Sequence, residues 1–159
     1  MLTNDQRHEL IEKIRVFPAQ LRARVGGLTH EQLTTHFLEG EWTVAQNVHH
    51  LADSHMNSFV RTRLILTEER PALKPYDQDR WAELADSGTT ALEESLSILE
   101  GLHRRWVRVF ESLGEADWRR AGLHPEIGEV TLDGILQIYA AHGEGHIDQI
   151  NHTLEAQRL

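Results

Sequence analysis

The 159 residues carry 25 acidic against 16 basic side chains, a formal charge of −9; this length suits one domain, residues 1–159, with a real core, and the acidic balance excludes a broad nucleic-acid-binding surface. Cysteine is absent, which excludes disulfides, thiolate-held metals and a protein thiol nucleophile. No run approaches the roughly 18 apolar residues of a membrane span, and MLTNDQRHELIEK lacks the apolar core of a signal peptide, so a cytoplasmic protein without membrane contact is expected.

Helical patterns follow in chain order. In NDQRHELIEKIRVFPAQLRARVGG, Leu10, Ile14, Leu21 and Val25 form a broad stripe; Pro18 is expected to kink or interrupt it and Gly26–Gly27 to end it. Thr29 to Gln32 has capping-box form and opens a short turn of helix, and a second box, Thr43 to Gln46, opens TVAQNVHHLADSHMNSFVRTRLILTEE. Pro71 and Pro75 mark the connection after it, with a further helical turn expected around DQDRWAEL. The third long helix is TTALEESLSILEGLHRRWVRVFESL, stopped at Gly114. HPEIGEV is too Pro- and Gly-marked for helix and reads as a loop or small hairpin, and from Thr131 a last helix runs almost to the end. No segment sustains strand alternation. The expected fold is an all-α four-helix bundle with a long connection between the second and third helices.

Histidine is the unusual residue, with 11 copies. In heptad register from Leu132, the last helix turns Leu132, Ile135, Tyr139, His142, His146, Gln149 and Thr153 inward. Residues four apart stand one turn above each other, so His142 and His146 can reach one point, the geometry of a helical metal-binding pair. Glu144 lies between them but points roughly 200° around the helix from His142, away from the pair. The order His-Gly-Glu-Gly-His also differs from the zinc-protease motif, so Glu144 is rejected as a general base. Gly143 and Gly145 each cost about 1 kcal/mol relative to alanine, either for close helix packing or for space beside a metal. By itself the pair reads equally as two hydrogen-bonded core histidines, and a metal needs a further ligand.

The second cluster is WTVAQNVHHLADSH. His49 and His50 are adjacent and point about 100° apart, so one of them faces any given site. His50 shares its face with Gln46, Asp53 and Asn57, whereas His49 lies nearer Ala45 and Ala52; periodicity favours His50 without deciding it. His55 lies off the His50 face, and His8, His30, His36, His103 and His152 read as surface residues.

With Trp-Thr-Val, His-His-Leu-Ala-Asp-Ser-His, Pro-Tyr-Asp, His-Pro-Glu and the final His-x-x-x-His, the chain resembles the DinB-like superfamily, specifically its YfiT/bacillithiol-transferase branch, over nearly its whole length. The resemblance implies a four-helix bundle holding one divalent metal, zinc or nickel, through three histidines: His50, directly before Leu-Ala, with His142 and His146. It also implies homodimers, a cytoplasmic location, and either metal-dependent hydrolysis or transfer of a small thiol such as bacillithiol. Relatives often carry further histidines beside the last pair, where this chain has Gly143, Glu144 and Gly145, a change to the surroundings of the site rather than to its ligands.

Three neutral imidazoles leave a divalent metal with an open coordination position and its full charge, the arrangement of a catalytic site. Water or a thiol there is acidified towards neutral pH, and without cysteine any sulfur nucleophile must arrive with a cosubstrate. Pocket candidates are Asp53 and Asn57, one and two turns beyond His50, Tyr139 one turn before His142, and His124 and Arg80 in the loops; Trp42 reads as a packing anchor. The expected function is attachment of a small thiol to an electrophile. Alternatives are a hydrolase in which the metal activates water, a non-catalytic metal-binding stress protein, and a helical dimerisation module whose histidines bind nothing.

Overall fold

A computed structural model describes residues 1–157. Four long helices form the body: α1 Asn4–Val25, α3 Val44–Thr67, α5 Leu92–Glu111 and α6 Leu132–Ala156. Two short ones, α2 His30–Thr34 and α4 Gln78–Ala82, lie in the connections flanking α3. The starts are set locally. Thr3, Thr29 and Thr43 each accept the backbone N–H of the residue three on, whose glutamine side chain accepts the threonine N–H in return. Gly27, at φ 76°, takes the chain out of α1 through a conformation that side chains disfavour.

Between α5 and α6 the HPEIGEV segment forms a small antiparallel hairpin, β1 Ala121–His124 and β2 Gly128–Thr131, after a 3-10 turn at Asp117–Arg119. The Leu73 N–H donates to the Leu123 carbonyl and the Leu123 N–H to the Pro71 carbonyl, fastening the long connection to the hairpin. Both α1 and α3 pack against α5 and α6. Consecutive long helices α1 and α3 therefore stand diagonally, as do α5 and α6, and residues far apart in sequence meet in the centre.

Pro18 neither kinks α1 into two helices nor stops it; the helix is continuous from Asn4 to Val25, with Pro18 buried. A proline in a helix interior removes one hydrogen bond and costs about 3 kcal/mol. Here the carbonyl it strands, that of Ile14, receives a hydrogen bond from His103 of α5 at 2.6 Å instead.

The core is divided. One apolar cluster gathers Ile14, Phe59, Trp106, Phe110, Leu136 and Tyr139; the other gathers Phe17, Leu21, Val48, Leu51, Leu99 and Ile150. Buried histidines of α3 and α5 and half-buried ones of α6 lie where the two meet. Among the described residues, no helix is long and apolar enough to cross a membrane.

Candidate metal centre

The capping box at Thr43 fixes where α3 begins, and so which side chains of its first turns face α6. His50 projects from α3, while His142 and His146 project from α6 one turn apart. The three offer ring nitrogens that all lie within 4.8 Å of one another. The Nε2 atoms of His50 and His142 are 3.3 Å apart. A metal held by imidazoles at about 2.0–2.1 Å in tetrahedral geometry sets nitrogen–nitrogen spacings of about 3.3 Å, so this pair already has the required separation.

The protonation of these rings suits ligation. His146 Nδ1 is 2.7 Å from Asn47 Oδ1, and Asn47 Nδ2 donates to the Thr43 carbonyl, which fixes the amide orientation. His146 Nδ1–H is therefore the donor, and its Nε2 lone pair is left for the site. Burial pushes His50 down to about 4, helped by neighbouring His146. His142 falls to about 3 through burial and then the charges of His146 and His50, and burial alone takes His146 to about 4. All three are neutral at pH 7, and among the described residues no carboxylate joins the group.

The chemistry of the donor set fits a divalent ion of intermediate softness, with three neutral nitrogens and at least one coordination position left open. Trp42 closes one side: its ring lies 4.6 Å from that of His50 and 6.2 Å, nearly parallel, from that of His146. The mouth is a cavity of about 220 Å³ lined by Gly40, Glu41, Trp42, Gln78, Asp79, His146 and Gln149.

His49 stands outside this group. Its Nδ1 meets the Ser95 hydroxyl at 2.8 Å and its Nε2 donates to the Thr89 carbonyl at 3.0 Å, so both ring nitrogens fasten α3 to α5 and its preceding loop. Tyr139 packs 5.4 Å from the His142 ring. Asp53 and Asn57 are half-buried and bonded to each other through the Asp53 backbone carbonyl. Burial, followed by the charge of Asp86, raises the Asp53 carboxyl above its usual range. His124 accepts the Glu126 N–H in the hairpin turn, and Arg80 is exposed on α4; neither lines the mouth. Glu144 forms an exposed ion pair with Lys13 at 2.9 Å.

The two glycines separate. A side chain at Gly143 would come within 2.7 Å of the Phe17 ring, whereas one at Gly145 would meet nothing within 4 Å. Gly143 serves close packing of α6 on α1, whereas Gly145 faces open space.

Two histidines expected elsewhere belong beside the site. His55 is fully buried and His103 is 1% exposed, and the His55 ring lies 5.3 Å from that of His142. The signal was present in the heptads: Leu92, Leu96, Leu99, His103, Trp106 and Phe110 make one inward seam, and Val48, Leu51, His55, Ser58, Thr62 and Ile65 another. Asn47, Trp42, Gln78 and Asp79 were also missed as neighbours of the site; Asn47 stands one turn before His50 on α3.

Comparison with known proteins agrees with this arrangement. Residues 14–150 match the DinB superfamily. A "putative metal-dependent hydrolase" of Oceanobacillus iheyensis is 44% identical over 149 residues, covering 94% of this chain and 86% of its own. YfiT of Bacillus subtilis, given the same description, is 42% identical over 150 residues, 94% of this chain and 84% of its own. The solved YfiT structure, whose four-helix bundle topology is described as unusual, superposes with a TM-score of 0.93 at 40% identity, covering 96% of this chain and 88% of that one. A mycothiol-dependent maleylpyruvate isomerase shares the fold at a TM-score of 0.71 and 16% identity, over 91% of this chain and 60% of that one. With its diagonal helix order and the similarity to YfiT running through both histidine-bearing helices, this chain belongs to the DinB superfamily, in its YfiT branch.

Proposed function

We propose that the chain is a metal-dependent thiol transferase. His50, His142 and His146 hold one divalent ion, zinc or nickel, and a small bacillithiol-type thiol is activated beside them to attack an electrophile. The observation that carries this reading is the convergence of three neutral imidazoles without a carboxylate. A divalent ion in such a site supplies Lewis-acid charge undiminished by an anionic ligand, which favours the ionised form of a thiol or of water at neutral pH.

The chain's own residues do the rest. Asn47 holds the proton of His146 on Nδ1 and so orients that ring. Trp42 walls the His50–His146 side against water. The mouth, at about 220 Å³, is smaller than the roughly 300–1,000 Å³ of most ligand pockets, so it takes the reactive end of a cosubstrate while the remainder lies over the rim at Glu41, Gln78 and Asp79. Because the protein has no cysteine, the sulfur comes with that cosubstrate.

Hydrolysis, with water in place of the thiol, is the second reading; the description of the relatives as metal-dependent hydrolases favours it. The test is consumption of a panel of electrophiles and esters by zinc- or nickel-loaded protein, with and without added thiol. Thiol-dependent turnover abolished by a chelator is expected; turnover with water alone would replace transfer by hydrolysis, and no turnover with any thiol would overturn the transferase reading. Homodimers and a cytoplasmic location belong to the same proposal, and a monomer by light scattering at working concentration would remove the first.

A further inference from the structure

Pro18 has no N–H, so the Ile14 carbonyl one turn before it loses its helical donor. His103, from α5, takes the vacant place with Nδ1 at 2.6 Å. Its other nitrogen, Nε2, is 2.7 Å from His55 Nδ1 on α3. His55 Nε2 is in turn 3.1 Å from His142 Nδ1 on α6. One line of hydrogen bonds thus runs from the backbone of α1 through α5 and α3 to a histidine of the metal centre. Phe17 covers the middle of it, with its ring 5.4 Å from His55 and 5.5 Å from His103.

The line has a fixed direction. A carbonyl oxygen only accepts, so the proton of His103 sits on Nδ1. A buried neutral imidazole carries a single N–H, which leaves His103 Nε2 as an acceptor and requires His55 Nδ1–H to donate. The same step at His55 requires His142 Nδ1–H to donate to His55 Nε2. Reversing any one ring would set two lone pairs against each other at 2.6 to 3.1 Å, in a place where water cannot repair the loss.

We propose that His55 and His103 are positioning residues of the metal centre: anchored on the carbonyl that Pro18 frees, they hold the His142 proton on Nδ1 and so turn its Nε2 lone pair towards His50 and His146. The relay rests on the reading of these three histidines as ligands. Its tautomers, however, are required of the metal-free protein too. Histidine ligands commonly donate their second N–H to a carboxylate or a backbone carbonyl. Here two further histidines carry that role to a carbonyl on another helix, so the ring is oriented without adding negative charge near the metal.

The test begins with long-range proton–nitrogen NMR of the metal-free wild-type chain. His55, His103 and His142 should all be protonated on Nδ1, and an Nε2-protonated form of any one of them overturns the relay. Zinc affinity, read by competition with a chromophoric chelator, gives the second arm. His103→Phe keeps the ring but removes both hydrogen bonds, and should weaken zinc binding 10- to 100-fold. His103→Gln can donate to Ile14 and accept from His55, and should restore most of that affinity. Unchanged affinity in His103→Phe, or equal weakening in both variants, would mark a packing role and overturn the proposal. If His103→Phe does not fold, the wild-type tautomers and the Gln variant still decide. Wild-type protein that binds no zinc, yet shows the three Nδ1 protons, would overturn the ligand reading and not the direction of the relay.

Discussion

Two of the buried polar groups in this bundle are built on opposite principles. Towards one end, Arg7 and Asp133 form a two-point ion pair at 2.8 and 3.1 Å, and the Arg7 guanidinium also reaches Glu115. The Leu2 N–H donates to Asp133, so the pair has partners on every side. Burial pushes the Asp133 carboxyl up, but the Arg7 contact and the Leu2 N–H outweigh it and hold the carboxyl below its usual range. In the middle of the bundle, five buried or half-buried histidines are uncharged; His55 and His103 are bonded at both ring nitrogens, whereas His142 and His146 are fixed through Nδ1 and keep Nε2 for the site. Their inner nitrogens are used up by Ile14, Asn47 and one another, while the Nε2 atoms of His142 and His146 converge on His50. The first group closes on itself and ties α1 to α6. The second leaves donor capacity directed at one point, which is what a site needs and a stabilising network does not.

Breaking the closed group should have the largest effect on stability. Asp133→Ala leaves Arg7 buried with the exposed Glu115 as its charged partner, and a loss of about 3 kcal/mol is expected, read by denaturant unfolding, with metal content unchanged. Gly143→Ala comes next: the new methyl meets the Phe17 ring at 2.7 Å, and overpacking should cost about 1–3 kcal/mol. Because Phe17 rests on His55 and His103, this variant should also weaken metal binding, which Asp133→Ala should not.

Acid separates the two groups further. Each histidine of the candidate metal centre is neutral in the fold and titrates near 3 or 4, against 6.5 when unfolded. The unfolded chain therefore binds more protons in that interval, and the histidine contribution is complete above about pH 6.5 and lost as pH falls towards 4. Asp133 contributes stability above its unfolded value of 3.8 and loses it only below. Metal-free protein should thus lose stability in two stages in a pH series of thermal melts, the upper one reduced in the variant lacking all three histidines, where His55 and His103, also held neutral by burial, remain. The smallest effect is expected at Gly145→Ala: with open space at that position, helix propensity alone should stabilise the chain by up to about 1 kcal/mol.

The parts of this molecule that were legible in the sequence are those decided within a few residues. The Thr29–Gln32 and Thr43–Gln46 caps, the helix starts they set and the His142–His146 spacing are of this kind. The tightness of α6 on α1 was half legible: Gly143 and Gly145 were visible, but only Phe17, remote in sequence, distinguishes them. The inward places of His55 and His103 were legible in their heptads, but their roles, like that of Pro18, were not. A proline inside a helix and a histidine on an apolar seam each look like a fault until the partner is known. Here the partners lie 89 and 48 residues apart, brought together by the diagonal packing of α1 and α3 between α5 and α6. The same long-range closure hid Asn47, whose amide meets His146 from 99 residues away.

The most direct test of the account is elemental analysis and zinc or nickel titration of purified protein, beside His50→Ala, His142→Ala, His146→Ala and His49→Ala. About one metal per chain is expected in the wild type and in His49→Ala, since the His49 ring is engaged with Ser95 and Thr89, and loss or severe weakening in the other three. A wild-type chain that binds no divalent metal, or His142→Ala protein that still binds one with unchanged affinity, would contradict it.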